Sequence, residues 1–357
     1  MLCKPASFGL LITFAALATG ANTPTPAGLA EAGHWRRAQA LVEPRLRANP
    51  NDAEAAYLMS RVRLMTGDLD EALKLAEKAA SLDPKNASYR YQVAAVAGTM
   101  AQRASMFRQH GLARRFKREA EAALALDPKY VEARWGLMMF YLQAPGIIGG
   151  DKKKAQEFAD EIARLDPVRG WMAKAEFVER EKRTAEIGAY YQKAVEANPK
   201  SYQAQMTLAS FYASDAQKKY DLAERHAREA LKIDPDRAGA YSQLAALYAY
   251  QSRLADLDAI LAQSEKAIPD NRNPYYQAGR VFITQGKELA RAESYFRKYL
   301  AQEPELNAPN HAGAHWRLGQ TLEKLGRKQE AIRELETAVR MNPNLEEAKK
   351  DLKRLKG

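Results

Sequence analysis

Cysteine is almost missing from this chain: Cys3 is its only one. Beyond it no disulfide, thiolate nucleophile or cysteine-based zinc site can form. The body of the chain also lacks any apolar run near the roughly 20 residues that span a bilayer. There is no GxxxxGK[ST] phosphate loop, no GxSxG elbow and no HExxH pair. Histidine is scarce, at 5 residues. His311 and His315 are four apart and would share a helix face, but no third ligand stands at a suitable spacing. Gly149-Gly150 before Asp151-Lys152-Lys153 has no strand ahead of it, so it reads as a bend. The expectation is no catalytic residue, no metal and no cofactor.

What is present begins with an unusual N-terminus. Lys4 precedes an apolar stretch, Phe8 to Ala18, followed by the small residues Thr19, Gly20 and Ala21. That is the layout of a secretory signal peptide over residues 1–21, with cleavage after Gly20 or Ala21. Cys3 precedes the apolar stretch, which argues against a lipid-attachment site. Export to the periplasm or beyond is expected. The formal net charge of +11 would suggest nucleic acid in a cytosolic protein. In an exported one it points to acidic proteins, anionic lipid headgroups or envelope polymers, and nucleic acid is not expected.

The rest of the chain is periodic. Helix-ending joints close at Pro50, Pro84, Pro128, Pro167, Pro199, Pro235, Pro269, Pro304 and Pro343, with spacings of 34, 44, 39, 32, 36, 34, 35 and 39 residues. Proline cannot continue a helix and disfavours helical geometry in the residue before it. Ala53 to Pro84 is the cleanest unit. Gly67-Asp68 divides it into two helices, and Ala72, Ala76 and Ala79 let the second approach a neighbour closely. Each helix has one apolar face that only another helix can bury.

Leu208, Ala209, Tyr212, Ala223, Ala227, Ala230 and Pro235 carry a specific pattern, repeated in Tyr241, Leu244, Ala245, Tyr248 and Pro269. Leu318, Gly319, Ala331, Ala338 and Pro343 form another set, and Gly279, Phe282, Ala292, Phe296 and Pro304 a fourth. This pattern resembles the tetratricopeptide repeat (TPR). The resemblance implies an all-α fold, a right-handed superhelical solenoid of antiparallel helix pairs. Residues 22–50 would be a lead-in and degenerate half repeat, 51–343 about eight units, and 344–357 a polar-faced capping helix.

Three units break the period. The one ending at Pro128 is about ten residues longer, within Gly98 to Phe116, so both of its helices should be lengthened. The next contains the loop Gln143 to Ala155, QAPGIIGGDKKKA, whose Ile147 and Ile148 are expected to tuck against a helix end. Both features look similar to those of an exported bacterial group of TPR proteins. The third, Glu303 to His311, is read as a simply lengthened turn.

In TPR arrays the first helix of each unit lines the concave face, and repeat positions 5 and 9 point into it. Here the resemblance assigns Tyr57 and Arg61, Trp135 and Met139, Met206 and Ser210, Ser242 and Ala246, Tyr276 and Arg280, and Trp316 and Gln320. The Lys/Asn set that clamps a terminal carboxylate in some family members is missing. Aromatics and arginines are enriched at binding hot spots. The leading expectation is therefore a non-enzymatic exported scaffold that grips a protein or peptide, of acidic character, in this groove. The alternative is an adaptor held peripherally on the envelope, binding anionic lipid or polymer through Arg103, Arg108, Arg114, Arg115, Lys117 and Arg118.

Overall fold

The structure, a computed structural model, describes residues 25–357; the expected signal peptide and Cys3 lie outside them. Helices follow one another in antiparallel pairs. The first pair is short, α1 (Pro26–Ala32) with α2 (Trp35–Ala48). Next come α3 (Ala53–Thr66) with α4 (Leu69–Leu82), α5 (Ala87–Arg103) with α6 (Met106–Leu126), and α7 (Val131–Gln143) with α8 (Lys152–Leu165). Then follow α9 (Pro167–Arg180) with α10 (Ile187–Ala197), α11 (Tyr202–Ala213) with α12 (Tyr220–Ile233), and α13 (Ala238–Tyr250) with α14 (Leu254–Ala267). The last are α15 (Asn273–Gln285) with α16 (Leu289–Leu300), α17 (His311–Lys324) with α18 (Lys328–Met341), and the single α19 (Glu346–Lys356). Among the described residues there is no strand, and no helix is long and apolar enough to cross a membrane.

The joint between pairs is built by one side chain as much as by proline. Asn49, Asp83, Asp127, Asn198, Asp234 and Asn342 each precede a proline and end a helix, with φ between −131° and −151°. The carboxylate or amide oxygen of each accepts the N–H two residues on, at 2.8 to 3.3 Å. This Asx turn satisfies a backbone donor while proline holds its neighbour extended. Asp166 is a variant: it ends α8 and its side chain caps Arg169 N at 3.0 Å, so α9 starts with no spacer.

Alanines form the seam. Ala72, Ala76 and Ala79 are fully buried, as are Ala223, Ala227 and Ala230. First helices of successive pairs touch one another (α3 with α5, α5 with α7, α11 with α13, α13 with α15, α15 with α17), and no two second helices pack comparably. Over those pairs the first helices form one contiguous face of the stack. Lengthening in the third pair falls on both helices, as the spacing predicts: α5 runs 17 residues and α6 runs 21.

One contact is not local. The α1–α2 hairpin packs on turns near the other end of the chain. Arg36 N–H donates to Glu305 at 3.0 Å, and its guanidinium reaches Glu303 at 3.1 Å and the Pro304 carbonyl. His34 Nε2 lies 2.8 Å from the Asp236 carbonyl, and Leu306 joins the cluster of Leu29, Trp35 and Val42. The turn from Glu303 to His311 is therefore more than extra length: it is the receptor for the N-terminal hairpin.

Ion pairs one repeat apart tie successive second helices, including Arg291–Asp258 at 2.6 Å and Arg327–Glu293 at 2.6 Å. Exposed pairs of this kind contribute little each. Glu224 is different, because Arg253, Tyr248 and Arg228 all donate to it. Burial pushes its pKa up, yet those hydrogen bonds prevail and hold the carboxyl down at about 2. A depressed carboxylate pKa contributes stability that is present above the unfolded value of about 4.3 and is lost as pH falls toward 2. Glu224→Gln should lower stability at neutral pH by on the order of 2 kcal/mol and flatten the loss below pH ~4.3. Thermal unfolding of both proteins between pH 2 and 7 checks this; parallel curves would rule it out.

Candidate functional site

The long third pair and the loop in the fourth meet around one cavity. It measures about 530 Å³ and is lined by Tyr91, Ala95 and Gly98 of α5, Phe116 of α6, and Trp135, Met139 and Phe140 of α7, with Ile148 from the loop. Two glycines keep it open. A Cβ on Gly136 would lie 2.4 Å from Tyr91 Oη, and one on Gly98 would lie 3.0 Å from the Phe116 ring. Any larger residue there would push an aromatic ring into the space. Burial raises the Tyr91 phenol to about 12, so it is neutral over the physiological range.

The loop shapes the rim. Gly146–Ile148 form a single 3₁₀ turn, ended by Gly149 at φ 103°, where a side chain would be strained. A Cβ on Gly150 would sit 1.8 Å from the Ala144 carbonyl oxygen. Asp151 then starts α8: its carboxylate accepts Lys153 N and Lys154 N at 3.0 and 3.2 Å, while its own N–H donates to Tyr141 O at 2.9 Å. Ile148 is half-buried against the cavity. Ile147, expected to tuck in beside it, is instead 90% exposed, because only one face of a 3₁₀ turn can meet the wall. Met106 and Phe107 at the start of α6 are also open to solvent, at 83% and 97%. The 3₁₀ turn packs on α6, so all three exposed apolar side chains are carried by elements that wall the cavity.

A second cavity of about 630 Å³ lies two units on, between Tyr191, Tyr202, Met206, Ser210, Phe211 and Arg237. Tyr202 Oη accepts Ala240 N at 3.0 Å, and the Arg237 guanidinium lies 4.8 Å over its ring.

The other expected groove residues divide. Trp135 and Met139 line the first cavity and Met206 the second. Tyr57 is half-buried against Tyr89, ring centroids 5.0 Å apart, with Arg61 lying over it and over Trp35. Arg280 is exposed, its Nε donating to Gln277 at 3.2 Å, and Ala246 is half-buried. Tyr276 is not a groove residue: it is buried between Phe296 and Tyr299 of α16. Ser242 is buried as well, accepting from Asn273 Nδ2 at 3.0 Å. Trp316 Nε1 and Gln320 Nε2 both donate to Asp351 of α19, at 2.8 and 2.9 Å, so they hold the last helix instead of offering a free surface.

The basic segment divides too. Arg115 pairs with Glu77, Lys117 with Glu121 at 3.8 Å and Arg118 with Glu119 at 2.7 Å. Arg103, Arg108 and Arg114 are exposed and have no ion-pair partner among the described residues. Nor do His311 and His315 converge: His311 faces the Gln302 carbonyl at 3.0 Å, and His315 faces Glu334 at 2.6 Å.

Sequence reasoning reached Trp135 and Met139 through repeat register. It missed Tyr91, Phe116, Met106 and Phe107. The readable signal was the violated period itself, which marks the two units that build the cavity.

Two tetratricopeptide-repeat family models match this chain, one over residues 29–96 and the other over 188–238 and 276–346, together more than half of its length. The chain belongs to the tetratricopeptide repeat family. Solved structures similar to this TPR protein include yeast Tom70, at 14% identity over 93% of this chain and 80% of that one, TM-score 0.48. A thermophilic TPR protein of Thermus thermophilus is 23% identical over 52% of this chain and 94% of its own, TM-score 0.46. PilW, a type IV pilus biogenesis factor, is 20% identical over 62% and 98%, TM-score 0.45. No curated protein sequence matches significantly. A TPR array is in general a scaffold for protein–protein interaction and not an enzyme.

Gly150→Ala should open the TPR insertion without unfolding the array. Amide exchange at 146–151 is expected to rise roughly tenfold or more while global melting barely moves, since loops open independently of the core. Hydrogen exchange read by mass spectrometry checks it; unchanged local protection would contradict the close Gly150–Ala144 approach.

Proposed function

We propose that this protein is a non-enzymatic, exported scaffold, periplasmic or secreted, that holds a partner polypeptide on the face lined by its first helices. The cavity at Trp135 and Met139 receives a bulky apolar side chain of that partner. One observation carries the reading: Met106, Phe107 and Ile147 stand exposed on two elements, α6 and the 3₁₀ turn, that also wall a largely apolar cavity of about 530 Å³. Grouped exposed apolar side chains mark interaction sites, because leaving them in water is unfavourable unless something covers them. Aromatic walls held by α5 and α7 are preorganised, so the receptor loses little entropy on docking.

The second cavity, with Met206, Tyr202 and Arg237, lies two units further along the array and suits a continuing segment of the same partner. Arg237, whose Nε pairs with Asp234 at 2.7 Å, adds positive charge to the cavity wall. Export rests on the N-terminal pattern of residues 1–21. The alternative, an adaptor holding anionic lipid or polymer through the basic segment, has less support, because three of its six cations already pair with acids on the protein.

Selection from a random displayed-peptide library against the mature protein should enrich sequences with a bulky apolar residue. Ala95→Leu narrows the cavity without removing a core side chain. It should weaken those peptides about tenfold or more, about 1.4 kcal/mol, with melting unchanged. Peptides that bind both proteins equally would place the binding surface elsewhere.

A further inference from the structure

The docked N-terminal hairpin carries a second kind of site. His34 is 1% exposed, at the start of α2. Its Nε2 lies 2.8 Å from the Asp236 carbonyl, an acceptor only, so this nitrogen carries the hydrogen and donates. Nδ1 is left with its lone pair, buried and without a hydrogen-bond partner. It faces Asp270 at 3.9 Å, and both carboxylate oxygens of Asp270 are likewise shielded and unpartnered. Glu305, 2% exposed, completes the group, and one donor atom from each of the three lies within 4.8 Å of the others.

We propose that His34, Asp270 and Glu305 form a binding site for a divalent transition-metal ion, Zn²⁺ being the best fit, and that the ion clasps the N-terminal hairpin to the C-terminal half of the array.

Three features select the ion. An imidazole nitrogen with two carboxylates is a donor set for Zn²⁺ and its first-row neighbours, whereas Ca²⁺ takes six to eight oxygens. Two carboxylate charges match a dipositive ion. The nearby cations answer them only in part: Arg37 Nε is 3.9 Å from Asp270, and Arg36 meets Glu305 through its backbone N–H. The Asp236 carbonyl orients the ring and fixes the tautomer that leaves Nδ1 free, the usual outer partner of a metal-bound histidine. To reach Zn–ligand distances of about 2.0–2.2 Å, the donors must draw in by on the order of 1 Å. Side-chain rotations of Asp270 and Glu305 can supply that.

The arrangement makes the ion structural. Its ligands come from the residue before α2, the turn before α15 and the long turn before α17, so binding joins segments more than two hundred residues apart in sequence. The clasp is independent of the peptide-binding proposal, since it lies at the hairpin contact and not at either cavity.

The test uses the mature protein freed of metal with EDTA and titrated calorimetrically with Zn²⁺, and with Ca²⁺ in a parallel run. One equivalent of Zn²⁺ should bind with micromolar or tighter affinity, raise the melting midpoint by a few degrees, and slow amide exchange at residues 33–37 and 303–307. His34→Asn and Asp270→Asn keep side-chain size and should each weaken Zn²⁺ at least tenfold. His315→Gln, on a histidine outside the group, should leave binding unchanged. Circular dichroism of the variants separates lost ligation from lost folding. Absence of saturable Zn²⁺ binding, affinity in either Asn variant unchanged from that of the parent protein, or preference for Ca²⁺ would each overturn the proposal.

Discussion

A helix pair in this protein cannot bury its own apolar faces, and what places its neighbour to do so is a six-fold repeated turn. An Asx oxygen accepts a backbone N–H two residues on, and the following proline keeps the Asx residue extended. With the turn fixed, alanines at the seam decide how near the helices come. Ala72, Ala76 and Ala79 are fully buried, with no side chain long enough to hold a partner helix away. The array is thus assembled from local decisions, each made within about one repeat. Stability is distributed correspondingly, through nearest-neighbour interfaces rather than one core.

Two exceptions to that local logic carry the interest of the molecule. One is the pair α5–α6 with the loop after α7. Added length has produced no extra packing layer there; it leaves a largely apolar cavity, with Met106, Phe107 and Ile147 exposed on the elements that wall it. The other is the closure of the α1–α2 hairpin on the turns at Asp236, Asp270 and Glu303–Leu306. A solenoid whose first unit reaches its last ones has a constrained curvature and is less free to flex. If the peptide surface and the hairpin contact are both used, they communicate only through that curvature.

Most of the helix boundaries could be read from the chain, because the period-setting residues are chemically distinctive. An Asx-Pro pair followed by a helical alanine pattern has few other readings. Trp135 and Met139 were legible for the same reason, since repeat register gives each residue of a first helix a direction. Tyr276, Trp316 and Gln320 were misplaced by that same rule. Register says which way a side chain points, but not whether Phe296 and Tyr299 or Asp351 already stand there. Ile147 fell to a finer limit: neighbouring residues in a 3₁₀ turn face different ways, and hydropathy cannot tell which meets the wall.

What the sequence determined by itself is therefore the unit: where each helix ends, which faces are apolar, and where the period is broken. These follow from interactions spanning a few residues, so they are written in short stretches of chain. Only the tertiary structure decided that His34, Asp270 and Glu305 stand together. Asp270 and Glu305 each follow a joint proline, one repeat apart, but nothing in the repeat brings His34 to them. Their meeting depends on the accumulated twist of every pair between them, a sum over many small packing angles that no local pattern records.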